Sequence, residues 1–446
     1  MKKYLFIALY ILSPGLPIVA LLLSNPDKYT DPDYLVPMAL GCIAFTWLTA
    51  EFILSARPKF IEVFFGLDKI YRFHSLTAVL SVVLVIMHKT IEENVIGEMF
   101  TSRFGNLALI IFAGITLLAF LLMTDSLAIR SKAFKKIKKY AEKTKIAKYE
   151  FQVLIHNLTI AGLVLMFIHV LFTSSAKYYP VVKAIYVLYF LLAAGFYIYH
   201  KVIKRIFINS RRYTVSEVLK ESNNMWTLRL IPKSGKIPSY SPGQFMFLRI
   251  LEKGRLGEEH PFSISSSPEN KEYISVTIKE LGDYTSAIKN IKPSTDAVLD
   301  GPYGRFSYVF HKDEEELVLI SGGVGITPVM SMLRHIYDTD RNRNVILLWG
   351  VNNPDEIIFN DELEKMKREM GSLSVAPVVF KDDSWNGEKG IIDRERIESV
   401  LKNLGADPGK KGYYVCGPAI MMKTVIRGLK TMGIKRARIH YERFSM

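Results

Sequence analysis

The sequence predicts a multidomain membrane protein: a six-transmembrane-helix bundle over 1–205, an antiparallel β-barrel over 206–312 and an α/β doubly wound domain over 313–446. Three observations carry this. Apolar residues gather before residue 200 in runs long enough to cross a bilayer. After Arg212 they give way to short alternating runs broken by Gly and Pro, and from Leu317 apolar strands alternate with helical segments. A chain of 446 residues is also too long for one compact domain.

Uninterrupted apolar stretches lie at Tyr4–Leu23, Tyr34–Ser55, Ile70–Ile91, Gly105–Thr124, Phe151–Phe172 and Val181–His200. Each is about the 20 residues that ~30 Å of hydrocarbon requires. The first begins Met-Lys-Lys like a secretion signal, but Pro14, Gly15 and Pro17 lie inside a stretch longer than a signal core, with no small-residue cleavage site after it, so it reads as a span. Lys and Arg number 19 at the N-terminus and in 56–69, 125–150 and 201–213, against 4 in 24–33, 89–104 and 173–180. The positive-inside rule then gives a multi-pass cell-membrane protein with both termini cytoplasmic. A net charge of +15 is compatible with nucleic-acid binding in general, but the uneven apolar distribution names a lipid bilayer as the partner and no nucleic acid. The basic run Arg130–Lys148 suits a surface helix on anionic lipid or on the soluble tail, or a topology signal alone.

Two cysteines, Cys42 and Cys416, cannot supply the four thiolates of an iron–sulfur cluster, and no Cys-x-x-Cys-His run attaches a c-type haem. Histidines are the more informative residues. His74 and His88 lie on the third span, His156 and His169 on the fifth, and ionisable groups at membrane depth are costly enough to need a reason. A single one is more often a hydrogen-bonded packing residue than a ligand, but two on each of two helices pair by depth. A spacing of 14 residues is roughly 21 Å along a helix, which suits two flat cofactors stacked in a bundle, each iron held by two neutral imidazoles. Rotation is less simple. Fourteen residues return to within ~40° of the starting face, whereas the thirteen from His156 to His169 end ~140° away on an ideal helix. Gly162 is the candidate for a local irregularity or for close approach of a macrocycle.

In the tail, alternating runs at Tyr213–Leu219, Trp226–Ile231, Phe245–Ile250, Tyr273–Lys279 and Ala297–Leu299 indicate the barrel. Leu317–Ser321, Val345–Gly350 and Gly412–Cys416 are the apolar strands of the doubly wound sheet. Ser321-Gly322-Gly323-Val324-Gly325-Ile326-Thr327-Pro328 stands between a strand and the helical run Val329–Tyr337, where glycine lets backbone approach a pyrophosphate at a helix N-terminus.

Histidines 14 apart on a third span and 13 apart on a fifth resemble the ferric reductase and NADPH oxidase family, prokaryotic NADPH oxidases in particular. The resemblance implies that His74 and His156 ligate an inner b-type haem and His88 and His169 an outer one. Arg72 would meet haem propionates, or else is a positive-inside anchor. The tail resembles the ferredoxin-NADP reductase family. There His260-Pro261-Phe262-Ser263, after Pro242-Gly243-Gln244-Phe245, matches the flavin signature, with Phe262 against the isoalloxazine and Ser263 near its N5. Lys279 with Gly282 and Thr285 matches the FAD pyrophosphate site. Gly322, Gly323, Gly325, Thr327 and Pro328 match the nicotinamide dinucleotide loop, and Cys416, Gly417 and Pro418 the segment facing the nicotinamide. Asp300-Gly301-Pro302-Tyr303-Gly304 matches the crossing between the two subdomains. Phe444 matches an aromatic ring over the flavin, or is a hydrophobic strand end. At Val351-Asn352-Asn353 the Arg of NADPH-preferring relatives is missing, which leans to NADH or dual use, with Lys381 as another source of charge.

The resemblance implies electron transfer from cytosolic NADH or NADPH through FAD and two haem b to an outer acceptor, O2 giving superoxide, with no obligatory protein partner. Two alternatives stand beside it. One is a ferric or cupric reductase, since Glu92 replaces a further histidine of many oxidases and Glu92, Glu93 and Glu98 suit a cationic Fe(III) complex. The other is a membrane-anchored flavin reductase or proton conduit without haem.

Overall fold

The computed structural model describes residues 2–95, 102–123, 149–252, 255–382 and 384–443. They form two compact units, Met1–Phe65 with Lys69–Ile203 and Gly66–Asp68 with Lys204–Met446.

The first unit is built from helices α1 (Lys2–Leu12), α2 (Gly15–Ser24), α3 (Pro32–Ser55), α4 (Leu67–Val95), α5 (Ser102–Met123), α6 (Tyr149–His156), α7 (Thr159–Phe172) and α8 (Pro180–Ile198). Among the described residues, six segments are long and apolar enough to cross a membrane: Lys3–Ser24, Pro32–Ser55, Leu67–Glu92, Arg103–Leu121, Phe151–Phe172 and Pro180–Ser210. All six stretches read from the sequence are there. Local chemistry sets the ends: Asp31 caps α3 by accepting the Asp33 N–H at 3.0 Å, with Pro32 in the first turn. Leu80, Ile110, Leu117 and Leu191 are exposed on the outside, while Phe45, Leu48, Phe112, Leu163 and Tyr186 fill the inside. The outer surface of these helices is thus largely apolar.

The first and fifth segments are not continuous. Pro14 separates α1 from α2, as a ring without N–H should. Between α6 and α7 no proline is present, yet the ladder tightens: Leu158 N–H donates to Ile155 O (2.9 Å), Ile160 N–H to Asn157 O (3.3 Å) and Ala161 N–H to Leu158 O (3.0 Å). Such i→i−3 turns advance ~120° per residue instead of ~100°. The overwinding acts in the direction that returns His169 toward the face of His156, by roughly 60° of the ~140°. Gly162 plays a different part from the one expected. A Cβ there would lie 3.1 Å from Phe112 and 3.2 Å from Ile111, so it lets α7 press on α5.

In the second unit, β1 (Arg212–Ser222), β2 (Met225–Pro232), β3 (Phe245–Ile250), β4 (His260–Ser263), β5 (Ile274–Lys279) and β6 (Asp296–Tyr303) form an antiparallel sheet of order β4-β3-β6-β1-β2-β5. An antiparallel bridge from Ile264 to Val276 closes it into a barrel around Val215, Leu228, Leu248, Ile264 and Val276. A parallel sheet follows, of order β10-β9-β8-β7-β11-β12, from β7 (Leu317–Gly322), β8 (Val345–Val351), β9 (Leu373–Val379), β10 (Glu388–Lys389), β11 (Gly412–Cys416) and β12 (Ile439–Glu442). Alternate residues of β7 enter two cores: Leu317 and Leu319 lie in the cluster that takes in helix α9 (Ile326–Thr339), Val318 and Ile320 in the cluster that takes in helix α10 (Ala419–Thr431). The strand order turns back at β7, which puts the ligand crevice of such a sheet at the carboxyl ends of β7 and β11.

Candidate functional site

In the first unit the structure brings the histidines together in two pairs. The rings of His74 and His156 stand 6.2 Å apart, centre to centre, at 69°. At that separation the two imidazoles are close enough to hold one metal ion together, as ligands bonded at ~2 Å would. His88 and His169 line one cavity of about 400 Å³. Its walls are largely apolar, with Phe45, Leu48, Val82 and Phe112 among them, and its size is that of a cofactor pocket. Glycines of the flanking helices face both rings: a Cβ on Gly41 would lie 3.1 Å from His88, and one on Gly105 3.1 Å from His169.

Partners on the other ring nitrogen complete the fit. His88 Nδ1 donates to the Pro37 carbonyl at 2.8 Å, and His74 Nδ1 meets Glu51 Oε2. A metal-binding imidazole is normally held in this way, which leaves Nε2 as the ligating atom. His88 Nε2 lies 3.3 Å from Glu92 Oε2, one helical turn on. The imidazoles present therefore fit haem iron as ligands. Sequence reading missed Glu51, Gly41 and Gly105, and also Lys28 and Lys89, cations on the cavity lining. Arg72 is exposed and, two residues from His74, points ~200° round α4; the structure does not bring the two together.

In the barrel, β4 runs antiparallel to β3 with Phe262 opposite Met246 and Ser263 opposite Phe245. Adjacent strand residues leave opposite faces, so Phe262 and Ser263 point to different sides of the sheet. His260 shares the face of Phe262, and Tyr284 covers both, its ring 3.9 Å from that of His260 and 6.1 Å from that of Phe262. Burial lowers the His260 imidazole below its ordinary value, with Glu259 pulling it back up. Pro261 lies between these aromatics in the strand. The turn expected to hold a pyrophosphate is held partly by its own residues. Thr285 Oγ1 accepts the N–H groups of Leu281 (2.8 Å) and Gly282 (3.0 Å), and the helix Asp283–Ala287 has only five residues. These two amides are satisfied within the turn, and Lys279 Nζ faces Glu356 Oε2 at 3.6 Å.

The glycine-rich loop sits where the topology requires. Gly323 has a positive φ of 52° with nothing within 4 Å of an added Cβ, so the backbone is open to a ligand there. Gly325 and Gly417 serve contact between the loops. A Cβ on Gly325 would lie 2.3 Å from Cys416 O, and one on Gly417 2.9 Å from Gly322 N. Pro418 packs against Gly322; Thr327 donates to Val324 O at 2.9 Å, and Pro328 is buried in the first turn of α9. Cys416 is 0% exposed, and burial, then Glu442, push its thiol well above the usual range. It is a packing thiol whose backbone borders the crevice. Lys381 is exposed, its N–H donating to Asn352 O at 2.8 Å, which sets it beside the loop that follows β8. Phe444, Glu98 and the basic run Arg130–Lys148 lie outside the described residues.

Residues 207–321 match the FAD-binding domain family and residues 319–427 the oxidoreductase NAD-binding domain family. A flavohemoprotein of Bacillus anthracis is 32% identical over 251 residues, 52% of this chain and 60% of that protein. A glycine betaine monooxygenase reductase subunit of Chromohalobacter salexigens is 28% identical over 235 residues, 51% of this chain and 62% of that one. Among solved structures, the flavohem-like FAD/NAD-binding domain of nitric oxide dioxygenase from Vibrio cholerae is 25% identical with a TM-score of 0.46, covering 52% of this chain and 98% of that domain. The chain thus matches about 60% of the length of these relatives. Its second unit thus matches an FAD-binding domain followed by an oxidoreductase NAD-binding domain.

Proposed function

We propose that the protein moves electrons from NAD(P)H to an acceptor across a membrane, with FAD in the second unit, two b-type haems in the first, and O2, reduced to superoxide, as the acceptor. The observation that carries this is the pairing of four histidines at two levels of a bundle long enough to span: His74 with His156 at 6.2 Å, and His88 with His169 on one cavity. Flavin would accept the electron pair of a hydride and release electrons singly, as haem iron requires. The chain's residues hold and orient. The loop at Gly322–Gly325 and the segment Cys416–Pro418 seat the nicotinamide dinucleotide, Phe262 and Ser263 position the flavin, and Glu51 and the Pro37 carbonyl fix the histidine tautomers. Two imidazoles per iron leave no coordination position for oxygen.

One observation favours a second reading, a ferric or cupric reductase: Glu92 stands on the cavity lining beside His88, an acidic group where a cationic complex would approach. Purified protein loaded with haem and FAD separates the two when NADH or NADPH is added and superoxide and Fe(III) reduction are measured in parallel. Superoxide formation that outpaces Fe(III) reduction supports the oxidase; the reverse supports the metal reductase.

A further inference from the structure

We propose that His311, Glu314 and His440 form a binding site for one divalent transition-metal ion of the Zn²⁺ type, separate from the electron path. The three residues come from distant parts of the second unit: His311 and Glu314 from the connection between β6 and β7, His440 from β12. One ligand atom from each lies within 4.8 Å of the others. Ligands of a four-coordinate ion bonded at ~2.0–2.1 Å stand roughly 3.3 Å apart, so small side-chain rotations bring the set onto one ion. His440 Nε2 is already 2.7 Å from Glu314 Oε1. The His311 ring stacks on that of His440 at 3.8 Å and 30°, which presents both imidazoles on the same side.

The surroundings are those of a held ligand set. Glu314 is 2% exposed, and Tyr414 donates its hydroxyl to Oε2 at 2.6 Å, leaving Oε1 toward the histidines. A hydrogen-bonded carboxylate of this kind is the usual support of a ligating oxygen. Backbone shape agrees: a Cβ on Gly412 would lie 2.1 Å from Glu314 Oε2, so the start of β11 is shaped around the carboxylate. Both histidines are partly exposed, which gives an ion a way in. Two imidazoles and one carboxylate leave a fourth position for water, and the donor set suits Zn²⁺ better than Mg²⁺ or Ca²⁺. An ion here ties β12 to the connection before β7. His440 pairs with Tyr414 and Glu442 with Cys416, so the tie lies two residues from the nicotinamide crevice.

The test uses tag-free full-length protein with FAD and haem bound, stripped with a chelator and titrated with Zn²⁺ against a chromophoric competitor, and separately with Co²⁺ while its ligand-field absorption is recorded. The expected result is one tight equivalent per chain and a Co²⁺ spectrum of low coordination number. His311→Ala and His440→Gln should abolish that equivalent without changing FAD content, and Tyr414→Phe should weaken it roughly 10–100-fold. Wild-type protein with no tight equivalent, or an equivalent unchanged in His311→Ala and His440→Gln, would show that the three residues are only a hydrogen-bonded network.

Discussion

Glu51 Oε2 meets Nδ1 of His74, and Glu51 Oε1 accepts the hydroxyls of Thr77 and, at 3.2 Å, Tyr10. The carboxyl group is 6% exposed on a helix of membrane length, where an acidic side chain is costly without partners. Three donors on two other helices offset that cost, and the arrangement fixes which nitrogen of His74 stays available. Glu51→Gln should retain the inner haem but raise its midpoint potential, because a neutral amide stabilises the oxidised iron less. Glu51→Leu should lower inner-haem retention roughly 10–100-fold. A redox titration of both variants checks this; unchanged potential and unchanged haem content would remove Glu51 from the account.

His88→Ala or His169→Ala should each cost the outer haem, leaving about half the haem per FAD. NAD(P)H should still reduce the flavin at its normal rate, since none of its contacts involve those rings. Haem-to-flavin ratios with stopped-flow flavin bleaching make the measurement. Four single His→Ala variants that all kept two haems would mean the ligands lie elsewhere.

Ser263 lies on the strand face opposite Phe262, mostly buried in the barrel wall. Losing one hydroxyl contact of ~1 kcal/mol in Ser263→Ala should slow hydride transfer roughly 3–10-fold while FAD affinity changes less. Equal transfer rates in wild type and variant would take the residue out of the reaction.

Lys381 provides an exposed cation beside Asn352, where the sequence lacks the expected arginine. Lys381→Ala should raise KM for NADPH about 10-fold, as loss of a charge-assisted phosphate contact of ~1.4 kcal/mol does, and leave KM for NADH unchanged. Parallel steady-state curves decide; equal effects on both nucleotides would exclude a 2′-phosphate contact.

Much of this organisation is legible in the sequence because it depends on local pattern. Membrane-length apolar runs, alternating barrel strands and a glycine-rich turn between strand and helix are all written in neighbouring residues. β9 was less visible, since Pro377 and Ser374 interrupt its apolar run. What escaped depends on contacts between distant residues. Nothing near Glu51 announces His74, 23 residues on, and nothing near Glu314 announces His440. The tightened turn at Asn157–Leu158 carries neither Gly nor Pro, so nothing in the sequence signals that His156 and His169 depart from an ideal helix. At Gly282 the motif is visible in the sequence, whereas the hydrogen bonds of Thr285 Oγ1 to the Leu281 and Gly282 amides are not.

The most direct measurement is an anaerobic reduced-minus-oxidised spectrum of the purified protein, with haem and FAD quantified in the same sample and NADH or NADPH as the only reductant. The account predicts two b-type haems per FAD, both low-spin and both reduced by the nucleotide through the flavin. A preparation that holds FAD and oxidises NAD(P)H but contains no haem, or haem that the nucleotide leaves oxidised, would contradict it.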